Sequence, residues 1–306
     1  MKNKCIHLIL LIIFFAMLLF PSQVFYGAKS GLLLWFLTVL PTLFPFLLMS
    51  RLLLVSNTCS FLSHLVSPVM RSLFKVSENG SFAIITGFLC GYPIGAKITA
   101  DLLRSRQISY SEASYLLSFC NNTSPVFLIS YILSGTLKKS DLILPSVLIL
   151  YGTPLLLSFL FRMRKNLSEI SDFSTHPTAI TCCAGSIDSC ISDSCEAIVK
   201  IGGYIILFSV LLTLTQLIPV KNIFFQILFL PSLELTNGIS MLSASPLSFS
   251  ALYCLCMGHA AFGGWCAIFQ TGSMIRNSGL SFHCYIAKKL ITALVTSLIA
   301  YLYISL

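Results

Sequence analysis

The sequence predicts an all-α, polytopic membrane protein made of two inverted repeats, each with a re-entrant hairpin and a broken helix. Three observations predict it. First, hydrophobic residues make up 56% of the 306-residue chain and charged residues only 9%, with a mean hydropathy of +0.91. A soluble domain carries about 25% charged residues to keep its surface wet. Second, apolar stretches of roughly 20 residues, the length that crosses a bilayer as a helix, recur along the chain. Third, interrupted and uninterrupted stretches follow one another in the same order in both halves. The shortage of charge excludes a disordered chain, a secreted disulfide scaffold and a nucleic-acid-binding domain. The net charge of +9 fits the positive-inside rule, by which Lys and Arg collect in cytoplasmic loops.

Residues 1–29 form an N-terminal transmembrane segment. Lys2 and Lys4 precede an apolar run from Ile6 to Phe20, and no A-x-A-type cleavage site follows. The run therefore reads as an uncleaved first span (6–25) with its N-terminus cytoplasmic. The first membrane repeat occupies 30–163, a polar cytoplasmic linker 164–197, and the second repeat 198–306. The remaining spans are 31–55, 112–137, 142–161, 198–219, 247–272 and 284–305. Residues 61–75 pattern as an amphipathic helix at the inner interface, with Arg71 and Lys75 on its polar side.

Two segments fit no span. Residues 82–103 are broken by Gly87, Gly91, Pro93 and Gly95; 223–243 hold a short apolar run, then Pro231 and a polar turn. Both read as hairpins that enter and leave on one side. With the first hairpin re-entrant, Arg104, Arg106 and Arg162 fall inside and Lys138 and Lys139 outside, the sign the rule demands.

In each half, a long apolar span is followed by a broken hairpin, then by a span interrupted by small and polar residues (Cys120–Pro125; Gly258–Gly264), then by a plain span. The first unit starts outside and the second inside. Inverted repeats with interruptions at matching places point to a secondary transporter with a midplane site. Broken backbone in hydrocarbon is tolerated only where it faces protein, water or solute.

The chemistry-bearing residues gather at these breaks. Gly91, Tyr92, Pro93, Gly95 and Lys97 form the first hairpin tip, where a helix N-terminus favours an anionic group and Lys97 adds a formal charge. The other reading is helix packing through the Gly87, Gly91 and Gly95 series, with Lys97 extended to the interface. Asn121, Asn122, Thr123 and Ser124 place four hydrogen-bonding side chains at membrane depth; solute recognition or interhelical bonding would satisfy them. Glu234, Thr236 and Asn237 form the second hairpin's counterpart, and Glu234 is the only acid after Glu196. An intramembrane carboxylate is a carrier of a coupling proton or Na+, or a solute ligand. His259, Gly263, Gly264 and Gln270 in the last broken span are coupling or gating candidates. Asp101 and Glu112 read as solvated.

No metal or cofactor is expected. Cys182, Cys183, Cys190 and Cys195 share the linker without C-x2-C spacing. The enzyme motifs H-E-x-x-H and G-x-S-x-G are absent from the sequence, and no catalytic role is expected.

At Gly87–Lys97, Ala100–Leu102 and Leu117–Pro125, together with Glu234–Gly238 and Phe262–Trp265, the chain resembles the YlbJ-type sporulation integral membrane proteins of endospore-forming bacteria. That family contains the Gate, or nucleoside-recognition, membrane domain and is similar to concentrative nucleoside transporters in its repeat plan. The resemblance implies a role in spore formation, with transport of dipicolinic acid, a small aromatic dianion, across the outer forespore membrane. The chain is short for that family at its N-terminus and in its linker. The expected function is a secondary permease for a small anionic solute; the alternative is a non-transporting scaffold or receptor of a sporulation complex.

Overall fold

The computed structural model describes residues 2–55, 59–163, 187–220 and 222–306. Among them the chain is helical, with no strand. Helix α1 (Lys2–Leu19) stops at Phe20, because Pro21 lacks a donor N–H and is suited to the first turn of a new helix. Helix α2 (Pro21–Leu34) then runs through a π-helical segment, Trp35–Val39, into α3 (Leu40–Val55). The expected boundary between spans 6–25 and 31–55 therefore lies at Phe20 instead.

Helices α4 (Cys59–Phe74), α5 (Glu78–Cys90) and α6 (Ile94–Arg104) follow. Ser77 caps α5 by accepting from the Gly80 N–H. Helices α5 and α6 pack as a hairpin whose tip is Gly91-Tyr92-Pro93. The expected span 112–137 is divided. Helix α7 (Tyr110–Leu116), capped by Ser109, ends well before the π-helical segment Phe127–Leu137 begins, and the backbone between them is irregular through Ser124.

Helix α8 (Ile143–Met163) closes the first half, and α9 (Ile187–Gln216) opens the second. Helix α9 begins before residue 198, inside the stretch expected to be linker. The rest of that stretch, 164–186 with Cys182, Cys183 and His176, lies outside the described residues. Cys190 and Cys195 are free thiols on α9.

The second hairpin consists of a π-helical segment Phe225–Phe229, α10 (Leu230–Leu233) and α11 (Leu235–Ser243), with Glu234 extended between them. Helices α12 (Phe249–Phe262) and α13 (Gly264–Ile275) are separated at Gly263, and α14 (Phe282–Ser305) ends the chain.

By length and composition, five stretches among the described residues can cross a bilayer: Pro21–Leu53, Ser140–Arg162, Ile187–Gln216, Phe249–Ile275 and Phe282–Ser305. Apolar helices at His7–Leu19 and Phe127–Leu137 are shorter. Large apolar side chains face outward at a helical repeat, as at Leu144 and Leu148 on α8 or Leu294, Leu298 and Leu302 on α14. Inside, α2 packs along α9 and α12 along α14. Lipid tails are as apolar as Leu, so these contacts rely on close packing and interhelical hydrogen bonds more than on hydrophobic burial. That explains why polar residues such as Ser146 and Tyr253, which share a 2.9 Å hydrogen bond, are buried between α8 and α12.

Candidate functional site

The interrupted backbones meet. Gly91 has φ +81°, and a side chain there would collide with the backbone of Ser124. Its absence lets the first hairpin tip sit directly on the break after α7, where the Tyr92 N–H donates to the Asn122 carbonyl at 2.7 Å. The small residues of the hairpin serve this approach. A Cβ on Gly87 would meet the Cys120 carbonyl, and one on Gly95 would lie 2.5 Å from it. In the second half, Gly263 (φ +88°) and Gly264 (φ +78°) break the helix, and Gly264 faces Ser232, Glu234 and Leu235 of the second hairpin. The two hairpins and the two breaks are thus packed pairwise, and Tyr92 joins the pairs, because its ring rests against Gly263.

A cavity of about 330 Å³ opens at this junction. Its polar wall includes Tyr92, Thr123, Ser124, Glu234, Thr236 and Gln270, and its apolar wall includes residues of α3, α9, α13 and the Phe127–Leu137 segment. The Tyr92 hydroxyl lies 2.7 Å from Thr123 Oγ1 and 3.1 Å from the Ala260 carbonyl, with one proton to share between them. Thr123 also donates to that carbonyl, at 2.5 Å. The hydroxyl of Tyr131, also on the wall, donates to the Thr236 carbonyl at 2.9 Å.

Glu234 is 5% exposed. Its side chain caps α11, accepting from the Thr236 N–H at 3.1 Å and the Asn237 N–H at 2.8 Å. Among the described residues no cation pairs with it, and it is the only charged residue in the cavity wall. Removing a charge from water is costly, and the two backbone N–H groups at the start of α11 are the partners that offset it here.

Lys97 is not at the cavity. Helix α6 turns it toward α3 and α9, where its ammonium pairs with Asp101 at 3.2 Å. Asp101, expected to be solvated, is the hub of a cluster that also takes Arg104 at 3.4 Å and Arg51 at 3.5 Å; Arg51 reaches Asp193 at 2.5 Å. Glu112, expected to be solvated too, is buried and accepts the Ser77 N–H at 2.6 Å.

The Asn pair is also absent from the wall. Asn121 donates to Thr271 Oγ1 at 3.0 Å and to the Tyr285 hydroxyl at 2.8 Å, and its oxygen accepts the Ala96 N–H at 3.3 Å. Asn122 donates to the Phe119 carbonyl at 2.6 Å. The partners of Asn121 lie on other helices, whereas this bond of Asn122 is local. Asn237 donates to Ser209 Oγ at 3.2 Å, fastening the second hairpin to α9. The ring nitrogens of His259 lie 2.8 Å from the Leu255 carbonyl and 3.3 Å from that of Leu228, away from the cavity. Gln270 lines the cavity and donates to Cys266 Sγ at 3.2 Å. Among the described residues no cluster of metal-ligating side chains occurs.

The sequence reading missed Lys289. This residue of α14 is 2% exposed. Its ammonium donates to Asn122 Oδ1 and to the Ala261 carbonyl, both at 3.1 Å, and lies 5.7 Å from the centre of the Tyr92 ring. Its position inside an apolar run was the available signal. Its neighbour Lys288 points about 100° away around the helix. Lys288 reaches the Ser114 carbonyl instead.

Residues 36–134 match the family model described as Gate, nucleoside recognition. The sporulation integral membrane protein YlbJ of Bacillus subtilis (strain 168) is 28% identical in an alignment covering 89% of this chain and 75% of YlbJ. The resemblance to YlbJ-type proteins therefore runs through both halves. Like YlbJ by name, and by its own apolar helices, the chain is an integral membrane protein. The Gate match takes in the first hairpin and the first break, with Tyr92 and Thr123, whereas Glu234 and Lys289 lie beyond it. No solved structure matches significantly.

Proposed function

We propose that this chain is a cation-coupled secondary permease for a small, ring-bearing anion, working during sporulation, with its two halves acting as inverted repeats. One observation carries the reading: Glu234, a buried carboxylate without a cation partner among the described residues, faces a cavity at which both hairpins and both broken helices converge. Interrupted helices around a central cavity are the means by which transporters expose backbone dipoles to a solute. The cavity of about 330 Å³ is of the size that ligand sites use for small molecules. Tyr92, Phe127 and Tyr131 offer aromatic surface for a planar ring, and Thr123, Ser124 and Gln270 offer hydrogen bonds.

Dipicolinate is the solute that the likeness to YlbJ-type proteins suggests. Among the described residues the sole wall charge is negative, so such an anion enters with a cation, a proton or Na+, held at Glu234. A neutral nucleoside is the second reading; the Gate family's description and the uncharged remainder of the polar wall favour it. Uptake of labelled dipicolinate and uridine into liposomes carrying the full chain tests both. Uptake of either, lost on Glu234→Gln, is expected. Failure of both solutes would leave a non-transporting scaffold as the better account.

A further inference from the structure

Lys289 is unused by the reading above, and its surroundings are unusual for a structural lysine. It is nearly inaccessible, and among the described residues no carboxylate lies within ion-pair distance of it. Two of its three N–H donors are engaged. Their acceptors belong one to each broken helix: Asn122 in the first break, and Ala261 two residues before Gly263 in the second. The third side of the ammonium is turned to the face of the Tyr92 ring, a weaker partner than an oxygen. That ring borders the cavity. One aromatic ring therefore has the Lys289 side-chain nitrogen on one side and the solute space beside it.

We propose that Lys289 is the anion-selecting charge of the cavity, acting across the ring of Tyr92 on a carboxylate-bearing solute. The inference rests on the permease reading and deepens it. A charge in a poorly polarisable interior acts over several ångströms with little screening, so contact is not required. Lys289 and Glu234 then divide the work: the ammonium favours the solute's carboxylate, and the Glu234 carboxylate holds the coupling cation. Lys97, by contrast, pairs with Asp101 and does not line the cavity. Because Lys289 joins both broken helices, a change in their separation would also move the charge relative to the cavity.

The test is equilibrium binding of labelled dipicolinate, benzoate and uridine to the full chain in nanodiscs, for the wild type, Lys289→Met and Lys289→Arg. The Met variant should weaken both anions tenfold or more and leave uridine within twofold, and the Arg variant should restore the anions. If Lys289→Met does not fold, Asn122→Asp provides the second arm: it leaves the lysine in place, gives it a carboxylate partner and should weaken the anions selectively. Neither anion binding the wild type, or equal effects on all three probes, would overturn the proposal. Parallel uptake in liposomes separates the two ideas. Anion binding without uptake removes the permease and keeps Lys289's role, whereas anion uptake unchanged in Lys289→Met removes Lys289's role and keeps the permease.

Discussion

The ammonium of Lys289 lies 5.7 Å from the centre of the Tyr92 ring, and the hydroxyl of that ring is held by Thr123 at 2.7 Å. Tyr92 occupies the tip of the first hairpin, Thr123 the first break and Lys289 the final helix, so this contact ties together three parts of the chain. The phenol also reaches the Ala260 carbonyl near the second break. Removing the phenol hydroxyl in Tyr92→Phe should cost about 1–2 kcal/mol of stability, because Thr123 retains the Ala260 carbonyl as a partner. Thermal unfolding of the purified protein in detergent measures it.

Gly263 should not tolerate a side chain. Its φ is +88°, and an added Cβ would lie 2.8 Å from the Tyr92 ring. Strain alone should make Gly263→Ala cost roughly 1–3 kcal/mol, and the displaced ring should slow uptake further. Gly203 on α9 is the control: it has open space around the Cβ position, so Gly203→Ala should be neutral or stabilising by up to about 1 kcal/mol. Melting curves of the two variants, compared side by side, decide it.

The Asn pair should behave as framework. Asn121→Ala removes three hydrogen bonds, with an expected loss of about 1–3 kcal/mol. Because its side chain does not border the cavity, the ratio of dipicolinate to uridine binding should stay at the wild-type value. A shift in that ratio would place Asn121 in contact with solute.

Within the ion cluster, Asp101 should matter more than Lys97. Lys97→Ala removes one partly exposed pair and should cost less than about 1 kcal/mol, with uptake near wild type. Asp101→Ala leaves Lys97, Arg104 and Arg51 without their shared carboxylate, and should cost about 1–2 kcal/mol. Unfolding at low and high salt checks the assignment, since the difference between the variants should shrink as salt screens the cluster.

Much of the architecture was legible because hydrocarbon imposes strict rules on sequence. The low charge, the apolar lengths and the Gly/Pro interruptions at 82–103 and 223–243 pointed to helices and hairpins before any coordinates. The burial of Glu234 was legible for the same reason, since it is an isolated acid in an apolar run. What the sequence withheld was direction. Lys97 stands one turn past a hairpin tip, yet the phase of α6 sends it to Asp101. Asn121 and Asn122 find their partners in Thr271, Tyr285 and Lys289, far along the chain, and no local pattern announces such pairings. Lys289 lies inside the expected span 284–305, and only the phase of α14 tells it from Lys288. Helix boundaries shifted at local signals such as Pro21, which starts a helix rather than lying within one.

The central claim is that Glu234 couples a cation to solute movement through the cavity it lines. Accumulation of labelled dipicolinate and uridine in liposomes, driven by an imposed proton or Na+ gradient, tests it most directly. The account predicts that the wild type accumulates solute only when one of the gradients is present, and that Glu234→Gln loses at least tenfold of the gradient-driven rate. Gradient-driven accumulation that survives in Glu234→Gln, or accumulation indifferent to both gradients, would contradict it.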